Sequence, residues 1–372
     1  MPSASKTASS AYVSYVPGST RRAGSAVVAI YQIRGVTHFR VPTYESIVTH
    51  LAFVVFASAE ERTKIMRAAV VKKVGGPEAV EVLEVPLPEP GPLEVRIKVA
   101  AAALNPADAA VWAGVFRPLE EVEYTGLGLD AAGTVDAVGP GVLVKVGTPV
   151  IAFDAVALRP TKAQAEYLVT DVNSIAVAPE GMDLTLAATI PLNAMTASLA
   201  LDHLPLRPRD TLLVTGAAGA VGGYAVELAR TRGVRIVAQG RPEDDEFLRG
   251  RGATWFVSRD EELSEAVRRL VPEGVDGALD AAALGAPALA AVRDGGIFVS
   301  VRSDVLPVPQ RGVAVRHTTA GPEATRLSYL SALAEVGVLT PRVAQIYPLS
   351  QAAEAHAQLA RGSQRGRIVL VP

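Results

Sequence analysis

The sequence predicts an α/β protein that consists of a β-rich domain and a doubly wound parallel sheet. Two observations lead to this fold class. Between Met66 and about Thr189, short β-branched runs are separated by Gly and Pro breakers, and from about Leu192 onward strand-like and helix-like stretches alternate. At 372 residues the chain is long enough for about two domains with hydrophobic cores of their own.

The β-rich half contains five runs with strand character. Each is rich in valine or alternates apolar with polar residues, and turn-forming residues such as Gly75-Gly-Pro77 separate them. The predicted strands are Met66–Val71, Ala79–Val85, Glu94–Val99, Gly133–Val138 and Ala165–Val169.

Six further strands are predicted in the alternating half, and the helix-length segments between them favour a parallel order. These strands are Leu212–Thr215, Ile236–Gln239, Trp255–Val257, Gly277–Asp280, Ile297–Val301 and Val313–Arg316. Helices around Arg326–Val336 and Gln351–Ala360 follow, and the chain ends in an apolar strand, Arg367–Val371.

Residues 1–65 differ from the rest because their apolar runs, 27–31 and 48–56, have no evident partner. We expect this segment to be a poorly ordered N-terminal extension or a mis-assigned start, with the folded core beginning at Met66. A genuine mobile arm is the alternative interpretation, and both are open at this point.

Composition and charge exclude several function classes. The formal net charge of −2 gives no electrostatic basis for binding nucleic acid or an anionic membrane. No apolar segment reaches the roughly 18 residues of a membrane-spanning helix, so we expect a cytoplasmic protein. The chain has no cysteine, and its five histidines are scattered without metal-ligand spacing. We therefore expect no metal, no nucleic acid and no membrane partner.

The most informative motif runs from Thr211 to Arg230, where a strand ends in a glycine turn and a helix-forming stretch begins. Glycines let the chain turn tightly and approach a pyrophosphate, while the first N–H groups of the helix face the phosphates. A strand follows at 234–239, as a βαβ dinucleotide-binding unit requires. This predicts a Rossmann domain, and a tight turn that binds nothing is the alternative. The residues expected to contact the cofactor here are Gly216, Ala217, Ala218, Gly219, Ala220, Val221 and Gly222.

The end of the second strand of this unit indicates which nicotinamide cofactor binds. NAD enzymes usually place an acid there, and its charge repels the 2′-phosphate of NADP. Here the strand ends in Gln239-Gly-Arg241 without an acid at the expected place. We predict NADP(H), with Arg241 as the phosphate ligand and Arg259, after the third strand, as a second candidate. The alternative is that Arg241 is an ordinary solvated residue, and the neighbouring Glu243-Asp-Asp245 cluster could pair with it.

The order of motifs resembles the medium-chain dehydrogenase/reductase superfamily from Met66 to the end of the chain. The motifs are Ala103-Leu-Asn-Pro-Ala-Asp108, Gly128-Leu-Asp-Ala-Ala-Gly-Thr-Val-Asp-Ala-Val-Gly139, Ala165-Glu-Tyr167, Met195-Thr-Ala197, the glycine turn and Gly366-Arg-Ile-Val-Leu370. The resemblance implies a GroES-like domain formed by residues 66–195 and 321–372, and a Rossmann domain at 196–320 inserted in it. The substrate cleft would lie between the two domains.

Two positions make the chain most similar to the zinc-free quinone oxidoreductase branch, which contains the zeta-crystallin-like enzymes. The zinc-using alcohol dehydrogenases have a cysteine where this chain has Asn105 and a histidine where it has Leu129. Neither an amide nor an aliphatic side chain replaces these zinc ligands. Asn105-Pro-Ala-Asp108 and Asp130 are typical of the zinc-free branch.

The resemblance also implies roles around the nicotinamide and the substrate. Asn105 is the catalytic candidate, since its amide could donate a hydrogen bond to the substrate carbonyl or hold the nicotinamide ribose; a turn residue before Pro106 is the alternative. Asp130 is expected to be structural rather than an acid catalyst. The following residues are expected to border the nicotinamide: Thr196, Ala281, Ala282, Ser300 and Val301. Expected to line the substrate cavity are Trp112, Phe116 and Leu129, and Trp112 could equally belong to the core.

These expectations together predict an NADPH-dependent, zinc-free enzyme that reduces quinones or α,β-unsaturated carbonyl compounds, with water as the simplest proton source. The cofactor supplies the hydride, and without a metal the easier acceptors are those whose charge delocalises on reduction. Two alternatives are open: an enoyl-thioester reductase of fatty-acid or polyketide chemistry, and a cofactor-binding protein with little turnover. The resemblance also implies a homodimer and a small-molecule substrate.

Overall fold

The structure is a computed structural model of the chain, and it describes residues 64–115, 122–155, 159–362 and 364–372. The predictions made for residues 1–63 and for Phe116 lie outside this part of the chain. Within it, the first strand begins at Ile65, one residue before the predicted start of the core at Met66.

The first half of the described chain is β-rich, and its sheets are mostly antiparallel. One sheet has three strands in the order β2-β1-β4, and the other is built on β3, β5, β6, β7 and β8. These strands are β1 (Ile65–Val71), β2 (Val80–Pro86), β3 (Glu94–Ala103), β4 (Thr125–Gly126), β5 (Asp130–Val138), β6 (Pro149–Phe153), β7 (Tyr167–Asp171) and β8 (Ile175–Val177).

The alternating half folds into a six-stranded sheet in which all neighbouring strands are parallel. Its strands are β9 (Thr211–Thr215), β10 (Arg235–Gly240), β11 (Trp255–Ser258), β12 (Val275–Asp280), β13 (Val292–Ser300) and β14 (Ala314–His317). The order is β11-β10-β9-β12-β13-β14, so the sheet grows outward in both directions from β9 and β12. Such a switch point leaves a crevice at the carboxyl ends of the strands, where α/β sheets bind their ligands. The predicted fold class is confirmed.

The C-terminal segment returns to the β-rich part. It contributes β15 (Val343–Pro348) and β16 (Arg367–Val371), which pair in parallel with each other. β16 then pairs antiparallel with β3, with Val369 opposite Ala103, and completes the order β15-β16-β3-β5-β6-β8. The end of the chain therefore belongs to the first sheet system. The exact domain limits at 195/196 and 320/321 stay predictions.

Helices connect these sheets, and two of them pack in the core cluster that the two halves share. The helices of the described residues are α1 (Pro106–Trp112), α2 (Leu184–Ala187), α3 (Pro191–Asp202), α4 (Ala220–Thr231), α5 (Asp245–Arg251), α6 (Leu263–Leu270), α7 (Ala286–Ala290), α8 (Ala324–Glu335) and α9 (Ala352–Arg361). Alanines 194 and 197 of α3 and 225 and 229 of α4 are fully buried where the two helices pack together. Small side chains allow this close approach. The same core cluster reaches Ala103 of β3, so it is continuous between the two halves.

The strands differ from the sequence prediction in several places. β13 begins at Val292 rather than near Ile297, and β4, β6, β8 and β15 were not predicted. Exposed polar residues after Val292 hide the start of β13, and runs of two to five residues carry too little periodicity to be recognised. Within the described ranges, no helix has the length and apolar character needed to span a membrane.

Candidate functional site

The glycine turn between β9 and α4 is packed so tightly that it excludes side chains. A Cβ atom at Gly222 would lie 2.3 Å from the carbonyl oxygen of Gly216 and 2.8 Å from Cα of Ala217. Gly216 has a φ of 57°, in the left-handed region that glycine adopts without strain. Gly219 is the N-cap of α4, so the first N–H groups of the helix lie at the turn. The sequence therefore builds a helix N-terminus that a ligand can approach closely.

Hydrogen bonds tie this turn to the neighbouring strand ends. On one side, the N–H of Ala217 donates to the carbonyl oxygen of Gln239 in β10 at 2.9 Å. On the other side, Thr215 Oγ1 donates to Asp280 Oδ1 at 2.6 Å and accepts from the N–H of Ala282 at 3.1 Å. The carboxyl ends of β9, β10 and β12 are therefore held together around the turn.

The residues predicted to border the nicotinamide lie mostly on this same edge. Ala281–Ala282 directly follow β12, and Ser300–Val301 span the end of β13. The N–H of Val301 donates to the carbonyl oxygen of Asp280 at 3.3 Å, which keeps the two strand ends together. Thr196 lies in α3, which packs against α4, and its hydroxyl donates to the helix backbone one turn earlier at 2.7 Å. Their contact with a cofactor stays a prediction.

A small, strongly basic cavity lies beside the first turn of α4. Its lining residues are Gly219, Ala220, Gly223, Tyr224, Arg251, Thr340, Arg342 and Arg367. Three arginines thus gather at the positive end of a helix dipole, an arrangement that favours an anion. Arg367 is buried, and no described residue accepts a hydrogen bond from its Nε. The cavity is therefore lined by positive charge, and one of its arginines has a side-chain N–H group without an acceptor among the described residues.

Arg342 connects this cavity to the glycine turn. Its guanidinium donates to the carbonyl oxygen of Ala218 and lies 4.1 Å from the centre of the Phe247 ring. Arg251 covers the same ring at 4.4 Å and pairs with the buried Glu227. Burial, and after it the charge of Arg251, lower the pKa of Arg342. Two guanidinium groups are thus held close together on one aromatic ring.

Sequence reasoning missed Arg342 and Arg367, because both come from the C-terminal segment, far along the chain from the glycine turn. One signal was available for Arg367: a charged residue begins the otherwise apolar strand β16. Arg342 stands between Pro341 and Val343, and nothing in that pattern marks it.

The two arginines predicted to bind the cofactor phosphate flank the end of β10. Arg241 directly follows the strand, and the N–H of Arg259 donates to the carbonyl oxygen of Gly240 at 2.7 Å. The side chain of Arg259 is exposed and lies 3.9 Å from Asp260. The structure thus brings both candidates to one point of the sheet edge, and their role in binding stays a prediction.

The acids next to Arg241 pair with other arginines. In the cluster Glu243–Asp245, Arg365 contacts the first two residues at 3.0 and 2.7 Å, and Arg249 contacts the third at 2.6 Å. The carboxylate of Asp244 also accepts the backbone N–H of Arg241 at 3.0 Å. Among the described residues, no ion pair engages the guanidinium of Arg241. The close ion pair considered as an alternative in the sequence analysis is therefore not formed by the described residues, although the charges of Arg241 and Glu243 interact at longer range.

Asn105 is the centre of a buried hydrogen-bond network. Its Nδ2 donates to Asp130 Oδ2 at 2.9 Å, while its Oδ1 accepts from Arg367 at 2.6 Å and from Asn193 at 3.2 Å. Its N–H donates to Asp108 Oδ2 at 2.7 Å and so caps the start of α1. Asn105 is fully buried, and its amide holds other side chains in place. Its predicted contact with substrate or ribose stays a prediction.

Burial shifts the two carboxyl groups of this network toward their neutral forms. It raises the pKa of Asp130 to about 7 and the pKa of Asp108 to about 6, although Asn105 and Arg367 act in the opposite direction. Both oxygens of Asp130 accept hydrogen bonds, one from Asn105 and one from the N–H of Leu192 at 2.8 Å. Asp130 therefore joins the β-rich part to the start of α3, which agrees with the structural role expected for it.

The network continues through Gln164 to His356. Gln164 Nε2 donates to Asp108 Oδ2 at 3.3 Å, and Gln164 Oε1 lies 2.8 Å from His356 Nε2. Burial lowers the pKa of His356 to about 4. The ring is therefore neutral at pH 7 and donates from Nε2 to the glutamine.

The residues predicted to line the substrate cavity have different surroundings. Leu129 is half-buried and directly precedes Asp130. Trp112 ends α1 and packs on a core cluster formed by residues of β1, α1 and α9. Within the described residues, its buried indole N–H has no acceptor. These contacts favour the core interpretation of Trp112, and the contact of Trp112 or Leu129 with substrate stays a prediction.

No group of three or more His, Asp and Glu side chains in the described ranges is placed to hold a metal ion, and the sequence has no cysteine to add.

Two family models match the chain: an alcohol dehydrogenase GroES-like domain at residues 91–181 and a zinc-binding dehydrogenase at residues 245–370. The chain is 30% identical to a quinone oxidoreductase of Sus scrofa, with 83% of this chain and 98% of that protein covered. It is 32% identical to a quinone oxidoreductase of Pseudomonas aeruginosa, with 80% and 97% covered. It is also 31% identical to a mycocerosic acid synthase-like polyketide synthase of Mycobacterium tuberculosis, over 76% of this chain and 14% of the synthase.

Solved structures share the fold over their full lengths. A quinone oxidoreductase from Coxiella burnetii has a TM-score of 0.74 at 27% identity and covers 83% of this chain. An NAD-dependent alcohol dehydrogenase has a TM-score of 0.75 at 31% identity and covers 82%. A mycobacterial protein solved in complex with NADPH has a TM-score of 0.71 at 26% identity and covers 82%. In each case 100% of the other chain is covered.

Proposed function

The chain belongs to the medium-chain dehydrogenase/reductase superfamily of oxidoreductases, and from this premise we propose that it reduces quinones or α,β-unsaturated carbonyl compounds with NADPH and without zinc. The observation that carries the proposal is the glycine turn, which lies at the switch point of the parallel sheet beside an arginine-lined cavity.

The pyrophosphate of the dinucleotide is proposed to bind at the glycine turn, beside this small basic cavity. The first N–H groups of α4 and the unpartnered Nε of Arg367 are donors, and Arg342 and Arg251 add positive charge. Gly222 keeps the turn free of a side chain that would hold the ligand away. A doubly charged pyrophosphate would therefore find hydrogen bonds and charge compensation in one place.

The preference for NADPH is supported by Arg241. Arg241 directly follows the second strand, while the acids that come after it are engaged by Arg365 and Arg249. A free guanidinium there attracts a 2′-phosphate, whereas an acid would repel it. The solved relatives include an NAD-dependent enzyme and an NADPH complex, so this argument depends on the charges of the chain itself.

The chemistry we propose divides between cofactor and protein. NADPH supplies the hydride when it is bound. The residues after β12 and β13 orient the nicotinamide, and the cleft excludes water so that the acceptor carbon can be held near attack distance, about 3–3.5 Å. Quinones and enones are the favoured acceptors because the negative charge that forms on reduction is delocalised in them. The similarity to two proteins named quinone oxidoreductase supports this substrate class. An alkenal/one oxidoreductase of Arabidopsis thaliana, 29% identical, supports the enone alternative.

Water is the proposed proton source. The buried carboxyl groups of Asp108 and Asp130 accept hydrogen bonds on both oxygens, which leaves neither positioned to donate a proton outward. Asn105 is proposed to position the network beneath the nicotinamide ribose, and Leu129 to contact the substrate.

The test is NADPH oxidation by the full chain, followed at 340 nm with a quinone, an enone, a simple ketone and an enoyl thioester. We expect turnover of the quinone or the enone, unaffected by a zinc chelator. Stoichiometric zinc whose removal abolishes turnover would refute the zinc-free proposal. Calorimetry that detects binding of neither NADPH nor NADH would refute the cofactor proposal.

A second candidate function is an enoyl-thioester reductase, which the similarity to the mycobacterial polyketide synthase favours. Reduction of the enoyl thioester in the same panel, with quinone and enone left unchanged, would select it. NADPH binding without turnover of any acceptor would instead indicate a cofactor-binding protein.

We also propose that the chain forms a homodimer through β14, the last strand of the parallel sheet. Light scattering, which measures the mass in solution, tests this. A cytoplasmic location stays a prediction.

A further inference from the structure

Arg365 lies on the short segment between α9 and β16, yet its side chain reaches the end of β10. It contacts Glu243 at 3.0 Å and Asp244 at 2.7 Å, with 41% of its own side chain exposed. Because the guanidinium of Arg365 is partly exposed to solvent, these ion pairs add little to stability. Their effect on the charges around Arg241 is the more consequential one.

The two acids are fixed close to Arg241 by the local backbone. Asp244 is buried to 5% exposure, and one of its oxygens accepts the N–H of Arg241 at 3.0 Å. Arg365 binds the other oxygen of the same carboxylate. Without Arg365, Glu243 and Asp244 would keep only the longer-range interactions that they already have with the charges of Arg241 and Arg342, respectively. Both arginines of the helix that follows are already paired, Arg249 with Asp245 and Arg251 with Glu227.

We propose that Arg365 is a specificity-determining residue for NADPH: it neutralises Glu243 and Asp244, so that Arg241 stays available for the 2′-phosphate. This inference rests on the NADPH dependence proposed above. Arg365 acts as a positioning residue, since its contacts are with the acids. Removal of Arg365 leaves negative charge beside the phosphate and lets the acids compete for Arg241. NADH, which lacks the phosphate, is largely indifferent to this change.

The proposal makes cofactor choice depend on both halves of the molecule. Arg241 and the acids follow β10 of the parallel sheet, whereas Arg365 leads into β16, which pairs with β3 of the β-rich sheet. The charge at the adenosine end is therefore set by a segment from outside the dinucleotide-binding sheet.

The experiment compares Arg365→Ala with the same variant carrying Glu243→Gln and Asp244→Asn. Dissociation constants of NADPH and NADH are measured by calorimetry on the full chain. We expect Arg365→Ala to weaken NADPH binding about tenfold, the order for one uncompensated charge near a partly screened phosphate, and to change NADH binding by less than about twofold. Removal of the acids should restore most of the NADPH affinity.

Arg67→Ala is the matched control, because Arg67 forms a comparably exposed pair with Glu166 at 2.8 Å on β1. It should leave both affinities unchanged and have a thermal midpoint similar to that of Arg365→Ala. Unchanged NADPH affinity in Arg365→Ala would overturn the proposal. A loss that removal of the acids fails to restore would also overturn it, because Arg365 would then contact the phosphate itself. The titration of the wild type tests the proposed function separately: a wild-type chain that binds NADH more tightly than NADPH would refute the proposed NADPH dependence.

Discussion

Replacement of Gly222 by alanine tests whether the glycine turn is built for close approach. The new Cβ would lie 2.3 Å from the carbonyl oxygen of Gly216 and 2.8 Å from Cα of Ala217, and neither backbone atom can rotate away. Gly223, in the same turn of α4, offers a matched control for the packing cost; because it lines the basic cavity, the NADPH affinity of Gly222→Ala is compared with that of the wild type. Its Cβ would meet only the carbonyl oxygen of Ala217 at 3.7 Å, an ordinary van der Waals contact.

The expected difference follows from two opposing effects. Both substitutions gain helix propensity, at most about 1 kcal/mol each. Overpacking against a fixed backbone costs about 1–3 kcal/mol, and this cost applies only to Gly222→Ala. Gly222→Ala should therefore be less stable than Gly223→Ala by about 1–3 kcal/mol. Relief of the clash also moves the first N–H groups of α4, so we expect its NADPH affinity to fall by about tenfold or more.

Urea unfolding followed by circular dichroism gives the free energy of unfolding of both variants, and calorimetry gives their dissociation constants for NADPH. A stability equal to that of Gly223→Ala, together with the NADPH affinity of the wild type, would refute the reasoning, because the turn would then have room for a side chain. If Gly222→Ala is less stable but binds NADPH normally, the packing argument is supported and the proposed pyrophosphate site at this turn is refuted.

Three further changes test other parts of the molecule. Arg241→Ala should weaken NADPH binding about tenfold and leave NADH binding within about twofold, since only NADPH carries the 2′-phosphate; unchanged discrimination in calorimetry would remove Arg241 from the site. His356→Leu should make the free energy of unfolding less dependent on pH in the acid range. Folding lowers the pKa of the ring from 6.5 to about 4, so the free energy of unfolding of the wild type falls by up to about 3 kcal/mol as the pH decreases through this range. Urea titrations at about pH 7 and pH 4.5 measure this, and parallel losses in both proteins would contradict a buried neutral ring. Asn105→Ala should lower the free energy of unfolding by about 2–4 kcal/mol in urea titrations, because Asp130 and Arg367 lose a buried partner; a loss below about 1 kcal/mol would mean that the network does not depend on this amide.

The parallel sheet could be predicted from the sequence because its strands are short apolar runs between helix-length segments. β9, for example, is buried at every position, which is the pattern of a strand covered on both faces. The start of β13 could not be predicted. Arg293 and Asp294 are exposed and polar, and they belong to a strand because Val292 pairs with Val275 of β12. Pairing with a neighbour overrides local propensity, and a single sequence carries no direct signal of that pairing.

The candidate site divides in the same way. Gly216 and Gly222 come from one continuous segment, and the geometry that they require is local, so the motif alone indicates it. Asn105 and Arg367 are 262 positions apart, and they meet because β16 pairs with β3. Arg365 reaches the acids after β10 for the same reason. Periodicity identifies these strands, but it does not say which of them become neighbours.

Arg367, which lines the basic cavity, is buried, and none of the described residues accepts a hydrogen bond from its Nε. A buried guanidinium loses its hydration, and an N–H group without an acceptor adds a cost that is larger for a charged donor than for a neutral one. Asp130 and Asp108 offset the charge of Arg367, while its hydrogen bond to Asn105 uses another nitrogen of the group. The desolvation cost that remains belongs to Arg367, which lines the same cavity as the first turn of α4. The proposed pyrophosphate at the neighbouring glycine turn would add negative charge close to Arg367 and to the N–H groups of the first turn of α4.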